Sequence, residues 1–331
     1  MTDFLKNKTI LVNGGTGSFG SNFVKYLLKN SEAKKIIVFS RDELKQFQMQ
    51  KEIQNTRLRF FIGDVRDLPR LQRAFHEIDI VVHAAALKQI PILEYNPFEA
   101  VKTNVMGSQN VIDAAIDQGV TKVLLISSDK AVQPINLYGA SKLCAEKLFI
   151  SGNSYSTKTS FSAVRYGNVM GSRGSIIEIL LKNKNAKKVQ ITDLAMTRFW
   201  ITLEQSFELV MFALNNMVGG EIFIPEPPSM KVMDLFDVIV PELEKEIIGI
   251  RPGEKLHEIL LTKEEAKHAR NIEKYHVILP EFTFSDRSYK KYYTRNSKKL
   301  AKDFCLASDT NKKWLTKEEM KKILKTLIIE K

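Results

Sequence analysis

The sequence predicts an α/β fold: a doubly wound, Rossmann-type parallel sheet carrying a smaller C-terminal substrate lobe. Three observations predict it. Five short apolar runs alternate with helical periodicity along the first half of the chain. The first run opens into Gly14-x-x-Gly17-x-x-Gly20, a turn that leads into a helix. The fifth ends in two hydroxyls, an acid and a base, followed by a Tyr-x-x-x-Lys pair.

In chain order, Thr9 to Val12 reads as the first strand, and Phe23, Leu27 and Leu28 mark the helix after the glycine turn. Such a turn lets backbone approach a diphosphate closely, with the helix N-terminus facing its charge. A P-loop is excluded because no Gly-Lys-Ser/Thr follows the spacer. Lys35 to Phe39 is the second strand, and its end bears on the cofactor. Ser40, Arg41 and Lys45 suit a 2′-phosphate and favour NADP, whereas Asp42 leaves NAD open.

The third strand, Leu58 to Ile62, ends in Gly63-Asp64-Val65, an acid placed to face an adenine. The fourth, Ile80 to His83, ends in Ala84-Ala85-Ala86, small enough for a cofactor to pass closely. Lys88 follows, either a residue of that crevice or a solvated loop lysine. A long helix is expected from about Glu94 to Gln118. The fifth strand, Val123 to Ile126, delivers Ser127-Ser128-Asp129-Lys130. Tyr138 and Lys142 then stand one helical turn apart on one face. A cation beside a phenol favours the phenolate; lowering a tyrosine by roughly three pKa units takes about 4 kcal/mol.

Phe161 to Arg165 is a sixth strand, followed by a glycine-rich segment from Tyr166 to Gly174 in which Asn168 offers both donor and acceptor. Beyond it, short strands (Val189 to Thr192, Glu221 to Ile224, Ile247 to Ile250) alternate with helices at Leu203 to Met217 and Met233 to Val240. This pattern predicts a dinucleotide-binding domain over residues 1–170 and a discontinuous substrate lobe and tail over 171–331, some later segments returning to the first domain. Arg251-Pro-Gly-Glu254 puts a cation and an acid in one turn, fit for a phosphate and a sugar hydroxyl or else a surface ion pair. Thr316-x-x-Glu319 is a capping box for a last amphipathic helix with Ile323, Leu324 and Leu327 on its apolar side.

Composition narrows the function classes. The net charge of +12 is spread over scattered lysine pairs without interleaved aromatics, so a nucleic-acid partner is not expected. No apolar run reaches the roughly 20 residues of a membrane span, and the first residues lack a secretory pattern, which points to the cytoplasm. Cys144 and Cys305 read as free thiols. The 5 histidines include no His-x-x-x-His pair, so no metal is expected.

Joined in order, Gly-Gly-Thr-Gly-Ser-Phe-Gly, Ser-Arg-Asp-Glu-Leu-Lys-Gln, Gly-Asp-Val-Arg-Asp, Ser-Asp-Lys-Ala, Asn-Leu-Tyr-Gly-Ala-Ser-Lys, Arg-Tyr-Gly-Asn-Val, Met-Thr-Arg-Phe-Trp-Ile and Arg-Pro-Gly-Glu-Lys-Leu-His-Glu form a specific series. The series resembles the inverting UDP-N-acetylglucosamine 4,6-dehydratases that open the pseudaminic acid route, within the extended short-chain dehydrogenase/reductases. The likeness runs from Lys8 to Glu258, with a weaker echo at Ser308 to Leu315. It implies NADP contacts at Thr16, Gly17, Ser18, Phe19, Ser40 to Lys45, Asp64, Val65, Ala84, Thr103, Tyr138, Lys142 and Val169 to Arg173. It implies UDP-sugar contacts at Lys88, Ser128, Asp129, Asn168, Ile176, Thr192, Arg251 and Glu254. It also implies a homo-oligomer, often a hexamer.

The same resemblance assigns roles. Tyr138 takes the proton of the sugar's carbon-4 hydroxyl, Lys130, if neutral, removes the carbon-5 proton, and Asp129, if protonated, helps the carbon-6 hydroxyl leave. Lys130 is diagnostic, because dTDP-glucose-type dehydratases place Asp-Glu there and 4-epimerases lack the pair. Departures are few: Asn13 replaces a usual Thr, Gln89 a usual His, Ser128 a usual Thr, and Glu178 a Pro, which bears on local helix geometry. A retaining dehydratase or a nucleotide-sugar 4-epimerase on the same fold is the alternative, and a non-catalytic NADP-binding scaffold the distant one.

Overall fold

A computed structural model describes residues 3–183, 186–282, 284, 287–295 and 297–329, the last three as backbone only. The expected alternation holds through the first half. Strands β1 (Thr9–Asn13), β2 (Lys35–Ser40), β3 (Leu58–Ile62), β4 (Ile80–His83), β5 (Lys122–Ile126) and β6 (Ser160–Val164) are separated by helices. Those are α1 (Ser18–Asn30), α2 (Glu43–Glu52), α3 (Leu68–Ala74), a segmented run and α7 (Leu137–Gly152).

The segmented run corrects the single helix expected from Glu94. It comprises α4 (Ile90–Tyr95), α5 (Pro97–Ala100), a π-helical stretch over Val101–Met106 and α6 (Gly107–Asp117). Pro97 lacks an N–H and Asn96 before it leaves helical geometry, at φ −123° and ψ 64°, so the helix breaks there.

The second half supplies β7 (Asn168–Val169), α8 (Ile176–Lys182), β8 (Lys188–Ile191), β9 (Thr197–Ile201), α9 (Leu203–Asn216), β10 (Ile222–Pro225), β11 (Ser229–Lys231), α10 (Val232–Ile239) and β12 (Glu244–Ile247). The chain ends with β13 (Ile259–Leu261), α11 (Lys263–Ala266), β14 (Ala269–Ile272), β15 (Tyr275–Ile278), β16 (Ser297–Lys299), β17 (Leu306–Ala307) and α12 (Lys317–Ile329). The main sheet has 10 strands in the order β16-β14-β15-β10-β6-β5-β4-β1-β2-β3. The seven from β10 to β3 run parallel, and β15, β14 and β16 extend the edge antiparallel.

One later segment returns to the main sheet, and one strand lies elsewhere than expected. The strand expected at Glu221 to Ile224 and the helix before it join the main sheet: β10 pairs with β6, and α9 packs on the same core through Leu209, Val210 and Leu214. The strand expected at Ile247 to Ile250 lies earlier, at β12. Its partner β8 ends at Ile191 opposite Ile247, so nothing remains for later residues to pair with.

All five residues of β1 are buried, as a parallel strand covered on both faces requires. Alternation sends Ile10 and Val12 to one core and Leu11 to the other. A third core lies off the sheet, where Met170, Leu180, Val189, Trp200 and Phe236 pack together. Helix α12 covers it with Met320 and Leu324 after the expected Thr316–Glu319 cap forms; the Leu327 side chain lies outside the described residues. Among the described residues no helix is long and apolar enough to cross a membrane.

Candidate active site

Parallel strands deliver their C-terminal residues to one edge of the sheet, where a crevice opens between loops. At β1 the turn is fastened to the end of β2, since Gly14 and Gly15 both donate to the Phe39 carbonyl, at 2.9 and 3.3 Å. A Cβ on Gly20 would stand 2.4 Å from the Gly14 carbonyl oxygen, so α1 begins against the turn only because residue 20 is glycine. Helix α1 starts at Gly17 without a side-chain cap, which leaves its first N–H groups for an anion.

The expected cofactor residues gather here. Thr16 and Ser40 share a 2.7 Å hydroxyl hydrogen bond, and Arg173 donates to the Thr16 carbonyl at 2.6 Å and to the Ser18 hydroxyl at 3.2 Å. The buried Thr103 hydroxyl has no hydrogen-bond partner among the described residues. A bare diphosphate cradle plus an orphaned hydroxyl fits a dinucleotide. The cations expected to meet a 2′-phosphate are engaged: Lys45 lies 2.5 Å from Asp42 and Arg41 3.6 Å from Asp64. Asp42 caps α2 by accepting from the Lys45 N–H. Glu178, where a proline was usual, sits three residues after the α8 cap Ser175 and accepts the Gly174 N–H, so the helix start is intact.

At the end of β5 the four polar residues separate into two groups. Ser127 faces inward, donating to buried Glu146, which pairs with Arg165 at 2.7 Å; Arg165 pairs with Glu265 at 3.0 Å. That network bolts β5 to α7 and β6 and leaves Ser127 structural. Lys130 turns toward the crevice, with Ser128 and Asp129 packed against it. Ser128 donates to Asp129 at 2.8 Å, and Lys130 Nζ lies 3.1 Å from the same oxygen. The other Asp129 oxygen is buried without a hydrogen-bond partner among the described residues.

Tyr138 is placed over this turn by α7. Asn136 caps the helix through the Gly139 N–H, and a Cβ on Gly139 would lie 2.2 Å from the Lys130 carbonyl oxygen. Only glycine lets the helix approach that closely. Burial raises the Tyr138 phenol above its ordinary value and Asp129 adds to this, while Lys130 and a Ser128 hydrogen bond pull the other way. The cation acting on the phenol is therefore Lys130. Lys142, expected from its spacing to act on Tyr138, hydrogen-bonds to the Ile126 carbonyl at 2.6 Å. Burial lowers Lys142 to about 8, against an opposing pull from Glu146.

Lys130 also departs from the neutral base the sequence called for. Burial presses it toward the amine, but Asp129 and then Glu258 outweigh that and hold it above the usual lysine range. Glu258 Oε1 lies 3.2 Å from Nζ. Glu258 was missed; the available signal was its position in the Arg251–Glu258 motif, just before the apolar strand β13.

Lys130 opens into a cavity of about 440 Å³ between the sheet and the third core. Asn168, Ile176, Thr192, Arg251 and Glu254 line it, as expected of sugar-nucleotide contacts, together with Arg198, which the sequence had not marked. Asn168 Oδ1 and Glu254 Oε2 are buried with no hydrogen-bond partner among the described residues. Asn136 donates to the Gly253 carbonyl at 2.7 Å, tying the start of α7 to the Arg251–Glu254 turn. Lys88 lies by the cofactor side of this space, donating to the Arg173 carbonyl at 3.1 Å. Burial and Arg173 lower it below the ordinary lysine value.

A parallel sheet with a glycine-rich diphosphate turn, an antiparallel C-terminal extension and a Tyr-x-x-x-Lys helix defines an extended short-chain dehydrogenase/reductase of the nucleotide-sugar type. Residues 10–280 match the model of a family described as polysaccharide biosynthesis protein, and the chain belongs to that family. It is similar to the inverting UDP-N-acetylglucosamine 4,6-dehydratase of Campylobacter jejuni, at 46% identity over 96% of this chain and 97% of that one. A UDP-glucose 4-epimerase of Rickettsia rickettsii is 40% identical over 97% and 96%. The X-ray structure of Pen from Bacillus thuringiensis superposes with a TM-score of 0.89 at 39% identity, covering 98% of this chain and 99% of that one.

Proposed function

We propose that the chain is an NADP-dependent UDP-N-acetylglucosamine 4,6-dehydratase that inverts carbon 5, a lyase acting early in the synthesis of pseudaminic acid or a related surface-glycan sugar. The observation that carries this is the Asp129–Lys130 pair, 3.1 Å apart beside Tyr138, with Lys130 facing the cavity. A 4-epimerase needs one group to move the carbon-4 hydroxyl proton, and Tyr138 suffices for that. A second, buried acid–base pair gains a proton-transfer role when another carbon is deprotonated. The dehydratase at 46% identity supports the same reading.

When bound, the nicotinamide takes hydride from carbon 4, returns it to carbon 6, and by its positive charge favours the Tyr138 phenolate. Tyr138 accepts the carbon-4 hydroxyl proton. The resulting ketone acidifies the proton on carbon 5. Moving one proton from Lys130 Nζ to Asp129 converts the resting ion pair into an amine and a carboxylic acid. The amine then takes the carbon-5 proton, and the acid protonates the departing carbon-6 hydroxyl, releasing water. A solvent-derived proton added to carbon 5 from the face opposite Lys130 inverts that centre, and the proton held by Tyr138 returns to solvent. The diphosphate falls to Arg251 and sugar hydroxyls to Asn168 and Glu254, which offer unpaired buried oxygens. Self-association of the chain is supported by the exposed apolar side chains of Ile92, Tyr95, Phe98 and Met106.

The epimerase relative favours a second reading, in which carbons 5 and 6 stay untouched. Incubation with UDP-N-acetylglucosamine and NMR of the product separates them. A new methyl group at carbon 6 with a keto or hydrated carbon 4 is expected; a UDP-N-acetylgalactosamine product overturns the dehydratase reading.

A further inference from the structure

The Glu258 carboxylate is 3% exposed and has its shortest ionic contact with Lys130, at 3.2 Å. Its other cationic neighbours are farther, Lys255 at 3.8 Å and Arg198 at 3.9 Å. Arg198 spends its N–H groups on the carbonyls of Thr197, Leu256 and Lys255. Glu258 Oε2 has no hydrogen-bond partner among the described residues. A carboxylate taken so far out of water is costly unless a specific charge answers it, and the charge that answers here is the Lys130 ammonium.

The placement is enforced from the end of the chain. The Glu258 N–H donates to the Ser308 hydroxyl at 2.9 Å, and the Ser308 N–H donates to the Glu258 carbonyl at 2.8 Å. Ser308 is held in turn by the Thr197 hydroxyl at 2.6 Å. The tail strand β17 pairs with β13, so the C-terminal segment fixes Glu258 from behind while Lys130 meets it in front.

We propose that Glu258 is a positioning residue of this site: its carboxylate anchors the Lys130 nitrogen at the cavity and governs how readily that nitrogen gives up its proton. The inference rests on the reading of Lys130 as the group that takes the carbon-5 proton. The charged and titratable groups facing Lys130 are Asp129 on its own turn, Tyr138 on α7, Arg198 on β9, Lys255 and Glu258 before β13, and Lys88 after β4. Asp129 and Glu258 favour the ammonium; Arg198 opposes it, as Lys88 and Lys255 do by like charge. Removing Glu258 therefore deletes an attraction and leaves the repulsions unanswered, and both changes favour the neutral amine.

Lysine labelling by acetic anhydride, read by mass spectrometry across pH, measures this without reference to catalysis. In the parent protein, Lys130 should label with a midpoint above the ordinary lysine range; a midpoint below that range overturns the proposal even if no variant folds. In Glu258→Gln, Lys130 should label at least tenfold faster at pH 8, whereas Glu258→Asp, which keeps the charge, should stay within threefold of the parent. Unchanged labelling in the Gln variant overturns the proposal, as does equal acceleration in both variants. Turnover in deuterated water adds the catalytic readout: in the Gln variant the rise of carbon-5 exchange with pH should move to lower pH, whereas a merely structural Glu258 would scale the rate down at every pH. If labelling behaves as expected but the parent's product carries no carbon-5 deuterium, the reading of Lys130 as the carbon-5 base fails, and Glu258 stands only as the group that sets the protonation of Lys130.

Discussion

The proposed cofactor groove and the proposed sugar cavity share one edge of the sheet but are assembled in opposite ways. The groove is built mainly from the loops that follow the first four strands, Gly14 to Gly20, Ser40 to Lys45, Asp64 and Ala84, with Thr103 and Arg173 added from farther along the chain. The cavity draws Lys130 from β5, Asn168 from β7, Arg198 from β9 and Glu258 from the segment before β13. The two lysines of the site show what this does to chemistry. Lys142 has Glu146 nearby, but that carboxylate is committed to Arg165 at 2.7 Å, and burial wins. Lys130 has two carboxylates at 3.1 and 3.2 Å, and burial loses. Burial alone therefore does not decide which way a lysine in this crevice is shifted; the spare capacity of the nearest carboxylate does.

The largest effect expected breaks the cavity and spares the groove. Lys130→Ala should retain cofactor affinity while elimination falls by roughly 10²–10⁴-fold, the range of a lost general base, and carbon-4 oxidation, which loses the cation acting on Tyr138, should fall less. Deuterium incorporation at carbon 5 should fall with elimination. Lys130→Arg makes the sharper test, since arginine keeps the charge between Asp129 and Glu258 but does not lose a proton at working pH. Near-normal dehydration in that variant would show that Lys130 is only a counter-ion.

A smaller effect sharpens the contrast from the Lys142 side. Its folded value of about 8 lies below the ordinary 10.5. Between those values the unfolded chain binds more protons than the folded one, so this lysine's contribution makes stability rise with pH through that window. Below about pH 8 its cost is fully present, roughly 3 kcal/mol if the whole shift is counted. Lys142→Met removes that cost but also the hydrogen bond to Ile126, about 1 kcal/mol. The variant should be more stable than the parent at pH 7, and the advantage should shrink by pH 10. Denaturant unfolding at both pH values checks it, and a constant difference would contradict the buried-amine account. Lys88, Lys122 and Lys255, also lowered by burial, are common to both proteins and cancel.

The same contrast explains what the sequence disclosed. Parallel strands and the glycine turn are written in contiguous residues, so β1 to β6 and the groove were legible from periodicity and spacing. Pairings between distant segments leave no local trace: β10 looks like any short apolar strand, yet its partner β6 puts it in the main sheet. Lys130 was legible as chemistry because it follows Asp129 at a strand end. Its protonation was not, because Glu258 lies far along the chain and reaches it only through the fold. Tyr138 and Lys142 were legible as neighbours on one helix, but the Lys142 hydrogen bond to the Ile126 carbonyl comes from another element and left no trace in the spacing.

The smallest expected effect concerns the groove alone and which dinucleotide it prefers. Arg41 is the cation best placed for a 2′-phosphate: its side chain is 54% exposed, and its contact with Asp64 is loose at 3.6 Å. Asp64 has a closer partner in Arg66 at 2.7 Å, so Arg41 can turn to a phosphate without stranding a carboxylate. Lys45 contributes less, being held at 2.5 Å by Asp42, which also caps α2 and gains from staying charged at that helix start. Arg41→Asp should therefore weaken NADP at least tenfold, about 1.4 kcal/mol, by exchanging attraction for repulsion at the 2′-phosphate. NAD carries no phosphate there and should bind within a few-fold of the parent. The sugar cavity lies outside this change, so UDP-sugar affinity should hold in the same variant. Titrations of both dinucleotides check it: equal weakening of the two would mean that Arg41 supports the loop rather than reading the phosphate, and unchanged NADP binding would leave the 2′-position to Ser40 and the helix start.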